Sequence, residues 1–161
     1  MQGSYAGAMG FGQFIPSSYR AYAVDFDGDG VRDIWANKTD AIGSVANYFA
    51  EHDWRGTEGV VERGTLGDAT SELRALINSG LKPTVTVGEW RTRGVQVGPE
   101  QDDSRLATLM RMEQKSGNEY WLGYDDFYVI TRYNHSRLYA MAVYQLSQAI
   151  RKRRESTLDL T

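Results

Sequence analysis

The chain contains no cysteine, so neither a disulfide framework nor a thiolate metal site can form. That absence suits an exported protein that avoids stray oxidation, although many cytosolic chains share it. No signal peptide and no apolar run of membrane-spanning length occur, so no membrane contact is expected from this chain itself. It begins abruptly, a methionine followed closely by a glycine-rich motif with no lead-in helix, as a truncation would. The net charge is only −3, which gives no reason to expect nucleic acid as a partner. No lysine follows the glycines at Walker spacing, so a phosphate-cradling loop is a poor reading and no organic cofactor is expected. His52 and His135 have no evident relation, and a single imidazole at a helix start is more often structural than catalytic.

What is present fits one soluble domain, or a domain carrying a small insertion, and a monomer: 161 residues, 41% hydrophobic and 24% charged, which argues against disorder. Ten tyrosines and four tryptophans supply flat amphipathic surface of the kind that stacks on sugar rings, although core packing accounts for most such residues. The organising stretch runs from Gly3 to Asp40. Its first half, GSYAGAMGFGQFIPSSY, carries Gly3, Gly7, Gly10 and Gly12 among small and aromatic residues. Glycine admits positive φ and close backbone approach, so such a run can lie against a ligand, or simply form a tight turn. The amide of Gln13 both donates and accepts, as an N-acetyl group or a hydroxyl requires.

The second half holds five carboxylates, Asp25, Asp27, Asp29, Asp33 and Asp40. Asp25-x-Asp27-x-Asp29-Gly30 matches the opening of an EF-hand calcium loop, with Gly30 at the sharp turn and Val31 offering its carbonyl. The match fails at position 12, where Ala36 replaces the bidentate glutamate. A hard cation needs six or more oxygens, so another carboxylate must close the shell, and Asp40 is the candidate. Asp33 at position 9 binds directly, acts through a water, or stays in solvent. The competing reading is an Asp/Gly-rich surface turn. A sensor would carry a second such loop; the ion here is expected to be a structural clip.

Residues 39–52 read as an amphipathic helix capped by Thr39, with Ala41, Ile42, Val45, Ala46 and Phe49 as its core face and Tyr48 beside it. Residues 55–126 carry little chemistry and read as a small α+β insertion. It comprises a short helix over 69–79 stopped by Gly80, β-rich stretches at 84–87 and 94–97, and a strand over 106–114 pairing with 119–124 through a turn containing Gly117. Trp90, Trp121 and Tyr124 are expected to pack rather than bind. Aromatic and β-branched residues 127–134 then lead into a final helix whose buried stripe is expected to be Leu138, Met141, Ala142, Leu146, Ala149 and Ile150.

Four blocks occur in order: GSYAGAMGFGQFIPSSY, the aspartate loop, DAIGSVANYF, and TRYNHS followed by YAMAV. Together they resemble the lytic murein transglycosylases, whose goose-lysozyme-like core carries a GA-x-G-x-x-Q-x-x-P motif, and more closely the B-type, membrane-bound branch. The resemblance implies an α+β fold: a mainly helical lysozyme-like core (1–54 and 127–155) with the calcium loop 25–40, a small α+β insertion containing antiparallel strands (55–126), and a tail (156–161). It implies cleavage of the MurNAc–GlcNAc β-1,4 bond with formation of a 1,6-anhydro end, peptidoglycan glycan strands as partner, and the periplasm of a Gram-negative bacterium as location, with the full-length protein membrane-anchored. Carried onto matching positions, it implies that Ser4, Gln13, Tyr48, Tyr133, Asn134 and Tyr139 bind substrate. Asp25, Asp27, Asp29, Val31 and Asp40 would then hold structural Ca2+.

In that branch one glutamate, its pKa raised by an apolar pocket, first protonates the leaving oxygen and then serves as base. It lies on a helix upstream of the glycine-rich motif, in a stretch like GVETRWG that does not occur here. Glu51, Glu58, Glu62 and Glu72 match nothing in that motif. No catalytic residue is therefore expected among these residues, and the chain alone should be nearly inert. The alternative is a non-catalytic, calcium-stabilised peptidoglycan-binding module; a calcium-responsive interaction protein is a weaker third reading.

Overall fold

The computed structural model describes residues 7–56 and 59–158. The chain forms two compact units, Met1–Trp54 and Arg55–Thr161.

The first unit is a glycine turn, two helices and the acidic loop between them. Met9 and Phe14 bridge in antiparallel fashion through two main-chain hydrogen bonds, closing a turn in which Gly10 and Gln13 adopt positive φ. Helix α1 (Pro16–Tyr22) opens with proline at its first turn, where the missing N–H costs nothing. Helix α2 (Lys38–Ala50) is capped by Asn37, not by Thr39: the Asn37 side chain accepts from the main-chain N–H groups of Thr39 and Asp40.

The buried face of α2 is not the apolar stripe expected from periodicity. Its buried residues are Asp40, Ala41, Gly43, Ser44 and Tyr48, whereas Ile42 is 71% exposed and Ala46 is exposed too. Polar groups occupy that face because the incoming chain gives them partners. Ser44 Oγ accepts from the Val24 N–H, Asn47 Nδ2 donates to the Tyr22 carbonyl, and Asp40 Oδ1 accepts from the Phe26 N–H. Hydrogen-bonded polar groups can be buried at little net cost, which a hydrophobicity pattern does not register.

The second unit is built on a five-stranded, wholly antiparallel sheet in the order β2-β4-β5-β1-β3. The strands are β1 (Val61–Leu66), β2 (Val85–Thr86), β3 (Val95–Gln96), β4 (Leu106–Gln114) and β5 (Gly117–Gly123). The expected β4–β5 hairpin is present, with Gln114 opposite Gly117. Strand β1 was not legible because Gly64 interrupts a polar run. The glycine is buried where Val95 and Val97 side chains and the Gln96 carbonyl approach to 3.4 Å of a hypothetical Cβ, a close strand approach that favours glycine.

Helix α3 (Ser71–Leu76) ends earlier than expected, since Ile77 turns extended and Asn78 takes positive φ. Helix α4 (Val87–Thr92) starts with a capping box between Thr86 and Glu89. Leu73, Val87, Trp90, Val95, Ala107, Leu109, Leu122 and Tyr124 form the core, so Trp90 and Tyr124 pack as expected.

Residues Val129, Ile130 and Thr131 lie buried in helix α5 (Asp125–Tyr133). Asp126 at its start is also buried and accepts from the main-chain N–H groups of Arg55 and Gly56, both at 2.8 Å. Helix α6 (Arg137–Leu158) buries only Ala140 and Met141. The expected stripe is otherwise open, with Leu138, Leu146 and Ile150 between 61% and 69% exposed. The spacing identified an apolar face correctly but carries no information about what covers it. No helix among the described residues is long and apolar enough to cross a membrane.

Candidate functional site

The acidic loop folds around its own carboxylates. Asp25 Oδ1 accepts from the N–H groups of Gly28 and Asp29, and its Oδ2 from Gly30. Asp29 Oδ1 accepts from the Val31 N–H at 2.8 Å, and Asn37 Nδ2 donates to Asp27 Oδ2 at 2.7 Å. Gly28 and Gly30 have φ of 79° and 90°, the left-handed conformation that such a winding loop demands.

Asp40 locks the loop to the helix. It is wholly buried, accepting from the Phe26 N–H at 2.8 Å through Oδ1 and from the Asp33 N–H at 2.9 Å through Oδ2. The Asp33 N–H, then that of Phe26, hold its carboxyl below the ordinary carboxylate pKa, against the opposing effect of burial. Its place in the first turn of α2 also suits the helix dipole.

One oxygen from each of Asp25, Asp27, Asp29 and Asp40 lies within 4.8 Å of the others. Four carboxylates converging so closely repel one another unless a cation sits among them, and an all-oxygen donor set suits a hard ion such as Ca2+. The residues fit such an ion. Asp33 is outside the group: its Oδ1 accepts from Trp35 and Ala36 N–H groups and closes the turn after the loop.

The glycine turn is attached to this loop. The Phe11 N–H donates to the Ile34 carbonyl at 2.9 Å. Gln13 Nε2 donates to the Gly10 carbonyl at 2.8 Å, and its Oε1 has no partner among the described residues. Tyr48 is 8% exposed, stacked on His52 with ring centroids 4.0 Å apart and edge-on to Tyr22 at 4.9 Å. His52 Nδ1 donates to the Tyr48 carbonyl at 2.7 Å, which accounts for that imidazole structurally. Ser4 and Glu58 lie outside the described residues.

In the second unit Tyr133, Asn134 and Tyr139 fall together at the α5–α6 junction. Tyr133 ends α5, Asn134 caps it in extended conformation, and Ser136 starts α6 by accepting the Tyr139 N–H on its hydroxyl. Asn134 is exposed and Tyr139 is 38% exposed. Among the described residues no glutamate is buried. Glu72 has its pKa lowered by its own main-chain N–H and by the Thr70 and Ser71 hydroxyls, the opposite of what a general acid needs. Glu62 accepts from Gln101, and Glu51 caps the end of α2.

The family profile described as the transglycosylase SLT domain matches residues 1–148. The chain belongs to this family. It is 45% identical over 151 residues to membrane-bound lytic murein transglycosylase B of Escherichia coli (strain K12), covering 93% of this chain and 40% of that protein. Soluble lytic transglycosylase SltB1 of Pseudomonas aeruginosa superposes with a TM-score of 0.88 at 51% identity, over 96% of this chain and 50% of that one. Escherichia coli lytic transglycosylase Slt35, solved in complex with calcium, superposes with a TM-score of 0.83 at 44% identity, over 96% and 47%. The chain thus spans about half the length, or less, of these relatives.

Proposed function

We propose that this chain is the calcium-clamped, sugar-lining portion of a peptidoglycan-cleaving lytic transglycosylase that works in the periplasm. The observation that carries the reading is the convergence of Asp25, Asp27, Asp29 and Asp40 beside a glycine turn, in a chain of the transglycosylase SLT family. Asp25, Asp27, Asp29 and Asp40, with the Val31 carbonyl, hold Ca2+, whose charge offsets the repulsion among the carboxylates and fixes the loop on α2. Gln13 offers its unpartnered Oε1 to an acetamido N–H, and Ser4 hydrogen-bonds near the reacting bond. Tyr48, Tyr133, Asn134 and Tyr139 supply further sugar contacts, the tyrosines through ring faces and Asn134 through its amide.

The reaction is cleavage of the MurNAc–GlcNAc β-1,4 bond with closure of a 1,6-anhydro ring. It needs a carboxylic acid whose pKa is raised by an apolar pocket, and loss of such a group costs about 10²–10⁴-fold in rate. We assign that acid to a glutamate outside this sequence, since no described glutamate is buried and Glu58, outside the described residues, matches nothing in the family's catalytic stretch.

Purified murein incubated with this chain should release no anhydromuropeptides, and a longer protein containing it should release them. Efficient release by the chain alone would overturn the assignment of the acid. The absence of a buried glutamate among the described residues also favours a second reading, a calcium-stabilised module that binds murein without cutting it. A longer native protein that binds murein but releases nothing would establish that reading instead. For the ion, added Ca2+ should raise the melting temperature, and the rise should vanish in Asp25→Ala or Asp29→Ala. An unchanged melting temperature in the unsubstituted chain would remove the ion from the account.

A further inference from the structure

A cavity of about 440 Å3 opens in the second unit between β1, α3 and the β4–β5 hairpin, and none of the residues assigned above lines it. Its volume falls within the range of small-ligand sites, about 300–1,000 Å3. Leu66, Ala69 and Ile77 form apolar walls continuous with the core of the unit. Arg74, Arg111 and Tyr120 also line it, and no acidic residue does among the described residues.

The fold fixes the backbone of Arg111. Asn78, at positive φ, accepts the Arg111 N–H on Oδ1 at 3.0 Å and donates from Nδ2 to the Arg111 carbonyl, pinning the end of α3 to β4. Tyr120 stands directly opposite Arg111 in the β4–β5 register. Arg111 has one carboxylate partner, Glu113, which is itself 75% exposed and outside the lining. Arg74 uses only Nε, toward the Ala69 carbonyl, and has no acidic partner among the described residues. Its Nη atoms and the Tyr120 hydroxyl are therefore donors without acceptors among the described residues.

We propose that this cavity binds a carboxylate of a short acidic peptide with small apolar side chains. A guanidinium fork matches a carboxylate through two parallel N–H bonds, and the apolar walls match small side chains better than they would a fully hydrated inorganic anion. Peptidoglycan carries short peptides with free carboxylates on its glycan strands, so the site deepens the murein reading and rests on it for the source of the ligand. In that reading this cavity engages the peptide while the sugar contacts fall to other residues.

The test is an amide NMR titration of the whole chain with synthetic alanyl-glutamyl-alanine, its fully amidated form, inorganic phosphate, and a peptide-free glycan of alternating GlcNAc and MurNAc. The free tripeptide should move resonances of residues 66–78, 111 and 120. Amidation, Arg74→Gln and Arg111→Gln should each weaken binding about tenfold or more, with thermal melts verifying that both variants stay folded. Undiminished binding in both variants, no shifts in those residues, or phosphate binding as tightly as the peptide would each overturn the proposal. If the tripeptide binds but the peptide-free glycan binds nowhere on the chain, the cavity stands as a carboxylate site and the murein reading fails. Glycan binding without peptide binding would instead overturn the cavity proposal and leave the murein reading standing.

Discussion

Gly10 lies so close to Ile34 that a Cβ on the glycine would sit 2.4 Å from the Ile34 carbonyl oxygen. The contact joins the glycine turn to the end of the acidic loop, so the two halves of the N-terminal motif form one packed object. Ile34 itself is almost wholly buried. Gly10→Ala is expected to destabilise the first unit by about 1–3 kcal/mol, because the obstacle is backbone and φ is +63° as well. Calorimetric melting should show the loss, and murein binding should weaken with it. An alanine variant melting like the unsubstituted chain would mean that the turn and the loop are not coupled.

Gly43 plays the same part from the helix side. A Cβ there would meet the Phe26 Cβ at 2.6 Å and its ring at 2.5 Å. Phe26 is the residue whose N–H holds Asp40, so displacing it also loosens a carboxylate of the proposed ion site. Gly43→Ala should lower Ca2+ affinity in calorimetric titration although it removes no ligand. Ile42→Ala, one position away but largely exposed, should leave the affinity unchanged.

Acid should act through Asp40. Its folded pKa is below the ordinary value of 3.8, so above 3.8 its contribution to stability is fully present. As pH falls from 3.8 through the lowered folded value, the unfolded chain takes up the proton first and that contribution is lost. In chelator, melting temperature should fall in this window, and Asp40→Asn should show a flatter profile, from a lower start at neutral pH. Identical profiles in the two proteins would assign the acid response to other carboxylates.

Alkali should act through Tyr124. Burial, then the nearby charge of Glu62, push its phenol up to about 12, against the favourable effects of Arg105 and Arg91. The Arg105 guanidinium lies 3.5 Å from the ring centroid, and the hydroxyl donates to Gln101 Oε1. The neutral phenol is the stable form in the fold, so stability is intact below the unfolded value near 10 and declines as pH rises from 10 to about 12. Tyr124→Phe should flatten that decline, as read by melts across the same alkaline range.

The removal of Asp126 tests a link that the motifs do not reveal. This carboxylate accepts the N–H groups of Arg55 and Gly56 from 71 and 70 residues away in sequence. Asp126→Ala leaves both donors without that partner and should cost about 1–3 kcal/mol, with hydrogen exchange at Arg55 and Gly56 rising first. Unchanged exchange there would show that the bonds do not hold the segment.

The family was legible through the resemblance of four sequence blocks, and the aspartate loop and the β4–β5 hairpin because each depends on local chemistry. Carboxylates at alternate positions before a glycine wind into a loop, and two alternating runs around a short turn pair with each other. The fourth carboxylate, Asp40, was also within reach, since helix α2 follows the loop directly. Tertiary structure alone decided which face of α2 is buried, because Ser44, Asn47 and Asp40 are satisfied by backbone that periodicity cannot see. It alone brought β1 into the sheet despite Gly64, and left the apolar stripe of α6 open where burial was expected. A sequence specifies which groups seek partners, and only the folded chain determines which of them find one.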